Sequence, residues 1–501
     1  METPCELKQL TALDVYTRSL AVADATMYFL GRRDGRKLVA SIGPSPLASE
    51  QTARTADGKV VQVGPADAYN AAVIRRVLPW TAPRLIGMTV SAGLGDRLGL
   101  ATPGHIRAIR RHGPGVTPVL AQQSIREMTR TGRSPQDVMD AATWGVFQEG
   151  FAEGFGSDAD HLQQPEDVER TATAGFTMFT IDPGRHVDDQ ADSLDEAQLA
   201  ERFESMDFPL LETSARDLEK AYVGRTFTVG KHLRIDFDAM VFLRAAVKYG
   251  RAVAHTARMY RHLLHVARQP VEVEVSVDET ETPTTPAEHF FIATELARLG
   301  VRWFSLAPRL VGRFEKGVDY IGDLEELSRS FAQHVAVMEA LGPYKLSIHS
   351  GSDKFSAYRT LAQLAGGRIH LKTAGTSYLE ALRAVAKVEP DLFAEILDFA
   401  RGCYEKDKAT YHVSADVRKV PQARDVAADR LPMLLEDFDA RQVLHVTFGS
   451  VLTADAGERF RGRLYAALEA NEEAYYEVLQ AHLGRHVAPL AAAPPAGSEA
   501  P

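Results

Sequence analysis

The chain has 501 residues, of which 45% are hydrophobic and 25% charged, and its formal net charge is −10 at pH 7. This acidic balance argues against a protein that binds the phosphate backbone of nucleic acids, because such proteins present a basic surface. It does not exclude small anionic substrates, since a local pocket can be cationic on an acidic protein.

The two cysteines, Cys5 and Cys403, are too few and too far apart for a disulfide framework or a cysteine-type zinc site. The N-terminus is polar, which is not typical of a secretory signal, and no apolar run approaches the ~18 residues of a membrane span. These features predict a cytoplasmic enzyme with neither nucleic acid nor membrane as a partner. They leave open whether it forms a homo-oligomer.

Residues 1–80 are expected to form an N-terminal extension that contains β-strands. Within it, residues 26–30 and 37–42 flank the pair Asp34 and Gly35, which is typical of a tight hairpin turn. At the other end, residues 488–501 are mainly Ala, Pro, Gly and Ser. They have little to bury, so they predict a disordered tail.

Between these ends, residues 81–487 alternate short apolar runs with helical stretches. This alternation predicts an α/β fold, a TIM-like (β/α)8 barrel that carries the catalytic site. The predicted strands are residues 85–90, 116–121, 176–181, 271–277, 301–306, 345–349, 369–372 and 443–448.

Two further features fit this organisation. Thr285, Pro286 and Glu288 form a capping box that predicts a helix start, and Gly300 predicts its end. The acidic stretch 184–235 is expected to be an insertion on the barrel, where it would form a lid, a contact surface or a solvated charged face.

The common nucleotide-binding and hydrolytic motifs are missing from the sequence. The segment from Gly93 to Gly99 has its third glycine one place too late for a dinucleotide-binding loop, which argues against a nicotinamide cofactor. There is also no Walker A sequence, no His-Glu-x-x-His and no Gly-x-Ser-x-Gly.

Polar residues gather in four short segments at or just beyond the ends of predicted strands or helices. In a barrel enzyme such ends converge at the C-terminal mouth, where the active site lies. The segments are residues 156–161, 277–281, 348–354 and 369–372.

The alternation of side chains along a strand adds a prediction about direction. Lys345, Ser347 and His349 share one face of their strand, as His370 and Lys372 do on the next, and we expect all five to point into the barrel. Two inward histidines on neighbouring strands are suitable ligands for a divalent metal cation. Imidazole suits zinc, nickel, iron or manganese, so the sequence does not distinguish among these metals.

Other side chains extend this constellation. His161 and the carboxylates near it would complete the metal site. Four basic residues are candidates for binding a substrate carboxylate: Arg97, Arg309, Lys354 and Lys372.

Six segments of the chain resemble the tagaturonate epimerase family, and the resemblance covers roughly residues 85 to 450. It implies a metal-dependent barrel enzyme, an isomerase of carbohydrate metabolism that interconverts D-tagaturonate and D-fructuronate in hexuronate breakdown. The segments are Gly95-Asp-Arg-Leu-Gly-Leu-Ala-Thr-Pro-Gly-His105, Asp158-Ala-Asp160-His161, Phe179-Thr-Ile-Asp-Pro183, Ser276-Val-Asp-Glu-Thr-Glu-Thr-Pro283, Ser305-Leu-Ala-Pro-Arg309 and His349-Ser-Gly-Ser-Asp-Lys-Phe355.

The resemblance also implies where the chemistry lies: an acid–base pair on the second and fourth of these segments, and a metal on histidines near strand ends. Our hypothesis takes Asp160 as the base and Glu279 as the opposing acid. It places His161, His349 and His370 around the metal, which would assist a retro-aldol cleavage and re-addition.

Four alternatives stay open at this point. The enzyme could be a ketohexose 4-epimerase acting on fructose and tagatose, or another metal-dependent sugar isomerase or aldolase. It could also be an epimerase that uses a nicotinamide cofactor. The last alternative is a barrel that binds a sugar without turning it over.

Overall fold

The computed structural model describes residues 3–230 and 233–492, and it begins with a small antiparallel sheet. The predicted hairpin is confirmed within this sheet. Asp34 and Gly35 have φ of 49° and 76°, the left-handed values that a tight hairpin turn requires. The strands are β1 (Asp14–Val15), β2 (Ala21–Ala23), β3 (Thr26–Arg33), β4 (Arg36–Ile42), β5 (Gln51–Arg54) and β6 (Val60–Pro65).

The centre of the molecule is a closed barrel of eight parallel strands, as the sequence predicts. The last barrel strand pairs with the first and closes the ring. A two-stranded hairpin, β11 (Arg225–Val229) and β12 (Leu233–Phe237), lies outside it. The barrel strands are β7 (Ser91–Leu94), β8 (Thr117–Ser124), β9 (Gly156–Leu162), β10 (Met178–Ile181), β13 (Glu272–Ser276), β14 (Ser305–Ala307), β15 (Lys345–Ile348) and β16 (Ile369–Thr373).

Helices cover the outside of the barrel, and the apolar residues between them and the strands form one continuous core. None of the described helices is both long enough and apolar enough to cross a lipid bilayer. The α-helices are α1 (Pro4–Thr11), α2 (Ala68–Val77), α3 (Thr102–His112), α4 (Ile125–Thr131), α5 (Pro135–Glu149), α6 (Pro165–Thr173), α7 (Glu196–Glu204), α8 (Ala215–Tyr222), α9 (Ala239–Val266), α10 (Pro286–Arg298), α11 (Leu324–Leu341), α12 (Tyr358–Leu364), α13 (Thr376–Val388), α14 (Pro390–Asp407), α15 (Phe438–Val446), α16 (Phe448–Thr453), α17 (Arg461–Ala470) and α18 (Glu472–Ala491).

The capping box is also confirmed. The Thr285 hydroxyl accepts a hydrogen bond from the Glu288 amide, and the Glu288 carboxylate accepts one from the Thr285 amide. Gly300 has φ of 75°, which suits the sharp stop that follows α10.

Two predicted strand positions are wrong, and one strand was not predicted. Residues 443–448 lie in α15 and α16, because an apolar run buried on all sides fits a helix as well as a strand. Residues 85–90 precede β7 instead of forming it. Strand β9 was not predicted, because its inward side chains include Asp158 and Asp160, which interrupt the apolar pattern.

The acidic stretch 184–235 is an insertion between β10 and α9, and part of it packs against the barrel helices. Leu199, Phe203 and Leu218 are buried, so the stretch is more than a solvated charged face. Whether it acts as a lid or a contact surface stays a prediction.

The C-terminal helix is longer than the sequence suggests. Helix α18 continues to Ala491 because Leu490 is buried in the core, so the predicted disordered tail begins too early at residue 488. Residues 493–501 lie outside the described part of the chain.

Candidate active site

A cleft opens at the C-terminal mouth of the barrel. Its outer part is a cavity of about 380 Å³, and its inner part, about 50 Å³, reaches down to Asp160, His161, His349 and Lys372. Arg126, Lys316, Ser350 and Tyr411 line both parts, so the two cavities form one cleft.

At the bottom of this cleft, the Lys372 ammonium group is surrounded by carboxylates. Its Nζ lies 2.7 Å from an oxygen of each of Asp158, Asp160 and Glu274. It also donates to the Thr180 hydroxyl at 2.6 Å. Lys372 points into the barrel as predicted, but its charge is already neutralised, so it is not placed to bind a substrate carboxylate.

These carboxylates differ in how they hold protons. Burial raises the pKa of Asp158 to about 6, with the neighbouring charges of Asp160 and Glu274 acting in the same direction and Lys372 opposing them. Burial also acts to raise the pKa of Asp160, but the charges of Lys372, His161 and His349 outweigh it and lower that pKa. Asp160 therefore presents a negative charge to the cleft.

Two histidines and a carboxylate converge above Lys372. Donor atoms of His161, Asp278 and His349 lie within 4.8 Å of one another, and the two imidazole centres are 5.1 Å apart. His161 follows the inward Asp160 on β9, whereas Asp278 and His349 follow the ends of β13 and β15.

Each histidine is oriented by a second carboxylate. The Asp182 carboxylate lies 3.2 Å from His161 Nδ1, and that of Glu274 lies 2.6 Å from His349 Nε2. In metal sites, a ligating imidazole commonly uses its other nitrogen in this way, which fixes the ring and leaves one nitrogen for the ion. The donor set, two imidazoles and one carboxylate, fits a divalent metal.

The electrostatics of these histidines support the same fit. Burial lowers the pKa of His349, but the carboxylates of Asp278 and Glu274 outweigh it and raise the pKa to about 9. The pKa of His161 is likewise raised well above its ordinary value, against burial, by Asp160, Glu279 and Asp182. The pocket therefore holds an excess of negative charge, which a cation would balance.

His370 does not belong to this group of ligands. It lies beside Ser347 in the strand register, two residues below His349 on the barrel axis, and its Nδ1 is 2.9 Å from Ser91 Oγ. Burial lowers the pKa of His370 to about 3. It points inward as predicted, but at a depth from which it does not join His161 and His349.

The two predicted acid–base residues both reach the neighbourhood of His161. Asp160 Oδ1 lies 3.8 Å from His161 Nε2, and a Glu279 oxygen lies within 4.8 Å of a nitrogen of His161 and an oxygen of Asp182. Asp160 is buried, whereas the Glu279 side chain is 33% exposed and pairs with Arg126 at 2.9 Å.

The predicted substrate-binding residues have different environments. Arg309 lines the outer cleft, and its guanidinium group makes one long hydrogen bond, at 3.4 Å, to the Asp278 carbonyl. Arg97 lines the inner cleft, but it pairs with Glu127 at 2.8 Å and stacks on Phe448. Arg309 is therefore freer than Arg97 to bind a ligand.

Lys354 is not placed to bind substrate. It is fully buried, and its ammonium group donates to the backbone carbonyls of Glu315, Val318 and Ser352, each at 2.7 Å. These three bonds use all its protons, so Lys354 stabilises a loop instead of reaching the cleft.

The sequence analysis missed other residues of the cleft. Asp278 lies in one of the four polar segments but was not assigned to the metal, and Arg126 and Lys316 were not considered. Arg126 was predictable, because it lies two residues beyond the end of β8. Lys316 lies on the loop after β14, where no pattern in the neighbouring sequence indicates that its side chain faces the cleft.

The C-terminal helix holds the loop that follows His349. The Asp353 carboxylate pairs with His482 of α18 at 2.6 Å and with Arg441 at 3.0 Å, and the Asp353 amide donates to His486 Nε2 at 2.9 Å. Although Asp353, His482 and His486 are close enough to hold a metal, His486 Nδ1 is also bonded, at 3.1 Å to the His482 carbonyl. This cluster therefore ties two parts of the fold together without an ion.

Comparison with known proteins agrees with the geometry. A family profile described as tagaturonate epimerase matches residues 16–490. The chain is 43% identical over 477 residues to a tagaturonate/fructuronate epimerase of Thermotoga maritima, covering 95% of this chain and 96% of that protein. Its fold superposes with a TM-score of 0.90 on a crystal structure of fructuronate–tagaturonate epimerase from Cohnella laeviribosi, at 38% identity and covering 97% and 98% of the two chains.

Replacing the central ammonium group tests how far the site depends on it. The substitution Lys372→Met leaves buried carboxylates unpaired, and we expect it to lower the free energy of unfolding by about 3–5 kcal/mol. The loss should shrink as the pH is lowered. Without Lys372 the carboxylates have raised pKa values in the folded chain, so protonation favours folding.

Thermal and urea unfolding at several pH values measure this effect. The matched control is Lys387→Met, which removes an exposed lysine from α13. Equal stabilities of the two variants at neutral pH would contradict the prediction.

Proposed function

The chain belongs to the tagaturonate epimerase family, and we propose that it interconverts D-tagaturonate and D-fructuronate by metal-assisted retro-aldol cleavage and re-addition. One observation carries the proposal. Two histidines and a carboxylate converge at the barrel mouth beside Asp160 and Glu279, below a cleft that Arg309 lines. The cytoplasmic location stays a prediction.

The chemistry of the substrate explains why such a site is needed. The two ketouronates differ in configuration at the carbon β to the ketone, whose hydrogen that carbonyl does not acidify. A retro-aldol reaction avoids removing this hydrogen. The hydroxyl on the inverting carbon loses its proton, the bond to the carbon α to the ketone breaks, and the electron pair passes toward the ketone. The aldehyde then presents its other face to the carbon α to the ketone, and the carbon–carbon bond re-forms with the opposite configuration.

The metal would be held by His161, Asp278 and His349. A bound divalent cation supplies Lewis-acid stabilisation of negative charge that develops on oxygen. Asp182 and Glu274 hold the two imidazoles in the tautomers that leave one nitrogen each for the ion.

The proton transfers fall to the two carboxylates beside this group. Asp160 takes the proton from the hydroxyl of the inverting carbon, and Lys372 keeps Asp160 ionised for this task. Glu279 returns a proton to the re-formed hydroxyl. In the opposite direction of the reaction, the two residues exchange roles.

One basic residue of the cleft favours a uronate over a neutral ketohexose. Arg126, Arg309, Arg313 and Lys316 line one cavity, in which Arg126 pairs with Glu279 and Arg313 with Glu315. Within the described chain, the Arg309 guanidinium group pairs with no carboxylate. A planar guanidinium group binds a carboxylate through two parallel hydrogen bonds, which a neutral sugar does not offer. Arg309 is the residue that we propose for this contact.

Turnover is the direct test of the proposed function. Protein reconstituted with zinc, nickel, iron or manganese should convert tagaturonate to fructuronate, observed by NMR, and protein stripped by a chelator should not. Free three-carbon fragments would instead indicate an aldolase. Binding without turnover would indicate a sugar-binding protein, and activity in metal-free protein with a nicotinamide cofactor would indicate oxidation and re-reduction.

The acid–base pair is tested by isosteric substitutions. We expect Asp160→Asn and Glu279→Gln each to lower turnover by about 10²- to 10⁴-fold, the usual contribution of a positioned acid or base. Metal content should remain that of the unsubstituted protein. Near-normal turnover in either variant would remove that residue from the mechanism.

The metal assignment has a readout that does not depend on activity. His161→Ala and His349→Ala should lose bound metal in elemental analysis, because each removes a donor of the group. His370→Ala, which removes a buried imidazole one layer deeper, serves as the control and should retain it. Loss of metal in His370→Ala alone would contradict the assignment.

Arg309 is tested by comparing two substrates. Arg309→Gln should raise KM for tagaturonate about tenfold, since a hydrogen bond to a charged group contributes about 1.5–3 kcal/mol. Any residual activity on tagatose should change little, because tagatose has no carboxylate. Equal effects on both substrates would show that Arg309 acts in another way.

A further inference from the structure

A second cavity, of about 370 Å³, lies on the outer wall of the barrel. It is enclosed by α9 and by the insertion that follows β10. Among the described residues, it shares no lining residue with the cleft at the barrel mouth. Its volume falls in the usual range for pockets that bind small molecules.

One side of this cavity is basic. Arg251 and Arg258 lie two turns apart on the same face of α9 and are both exposed. Within the described parts of the chain, neither makes an ion pair or a hydrogen bond. Arg261 also lines the cavity, but it is paired with Glu212 at 2.5 Å.

The basic character is a property of the cavity and not of the protein as a whole, whose net charge is −10. The only acidic residues that line the described cavity are Asp207 and Glu212, and Glu212 is already paired. Two unpaired guanidinium groups at one cavity are therefore available to an anion.

The other side of the cavity is apolar. Leu210 is 61% exposed although it is a large hydrophobic residue, and Met206 and Ala254 lie beside it. Gly250 lets the insertion approach the helix closely, because a Cβ at this position would collide with the Met206 methyl group. The cavity thus offers an apolar surface next to its cationic edge.

Two histidines form the wall between these sides. The rings of His186 and His255 stack with their centres 4.0 Å apart, and His255 Nε2 lies 3.1 Å from the Gln163 carbonyl. Burial lowers the pKa of His255 to about 4, with His186 and Arg258 acting in the same direction, so this ring is neutral at physiological pH. The stacked pair gives the cavity an aromatic surface.

We propose that this cavity binds a small amphiphilic organic anion, one with a phosphate or carboxylate group and an apolar or aromatic body. The anionic group pairs with Arg251 and Arg258, and the body lies against Leu210, Met206 and the stacked histidines. The proposal is independent of the epimerase activity, since the cavity is separate from the cleft.

Calorimetric titration of the full-length protein with phenyl phosphate tests the proposal. We expect saturable binding to the unsubstituted protein and binding at least about tenfold weaker in the double variant R251Q/R258Q, which removes two charged partners. Ala254→Leu should weaken binding too, because it fills the cavity without changing its charge.

Two further ligands define the chemistry of the site. Benzoate in place of phenyl phosphate shows whether a carboxylate serves as well as a phosphate. Inorganic phosphate should bind much more weakly, because it has no apolar part.

Two controls locate the binding. Arg359→Gln removes an exposed arginine from α12, and Arg309→Gln alters the cleft, so both should bind phenyl phosphate normally. Failure of the unsubstituted protein to bind, or equal binding by R251Q/R258Q, would overturn the proposal. A lower molecular mass of R251Q/R258Q in light scattering would also overturn it, since the cavity would then be a contact between copies of the chain.

Discussion

The ammonium group of Lys372, inside the barrel, is in contact with three carboxylates. Charges in a protein interior are stable only when they are paired, and the carboxylates of Asp158, Asp160 and Glu274 meet this condition through one shared partner. The three carboxylates still outnumber the one ammonium group. Asp160 and Glu274 are also among the carboxylates that raise the pKa of the two imidazoles above, together with Asp182, Asp278 and Glu279.

The depth of a basic side chain decides what it can do in this molecule. Lys372, Lys354 and Arg97 are buried, and each is fully used by carboxylates or carbonyls of the chain itself. Arg309 and Lys316 lie at the cleft. Since a buried cation must find partners within the fold, those available to a ligand are found near the surface.

Much of the fold followed from apolar periodicity, and the failures have physical causes. Strand β9 escaped detection because the buried residues Asp158 and Asp160 break its apolar pattern. Alternation correctly predicted that His349 and His370 point inward. It does not indicate how deep a residue lies in the barrel, and His370 lies one layer below His349. Lys354 lies beyond the end of β15, where the alternation of a strand no longer applies.

The attachment of Asp353 to His482 and His486 has a consequence for the order of events during biosynthesis. A ribosome releases the chain from its N-terminus, so the barrel strands emerge well before α18. Until that helix arrives, the segment beside His349 lacks two of the partners that fix it. That segment therefore gains its full set of contacts only near the end of translation, after the strands of the barrel have emerged.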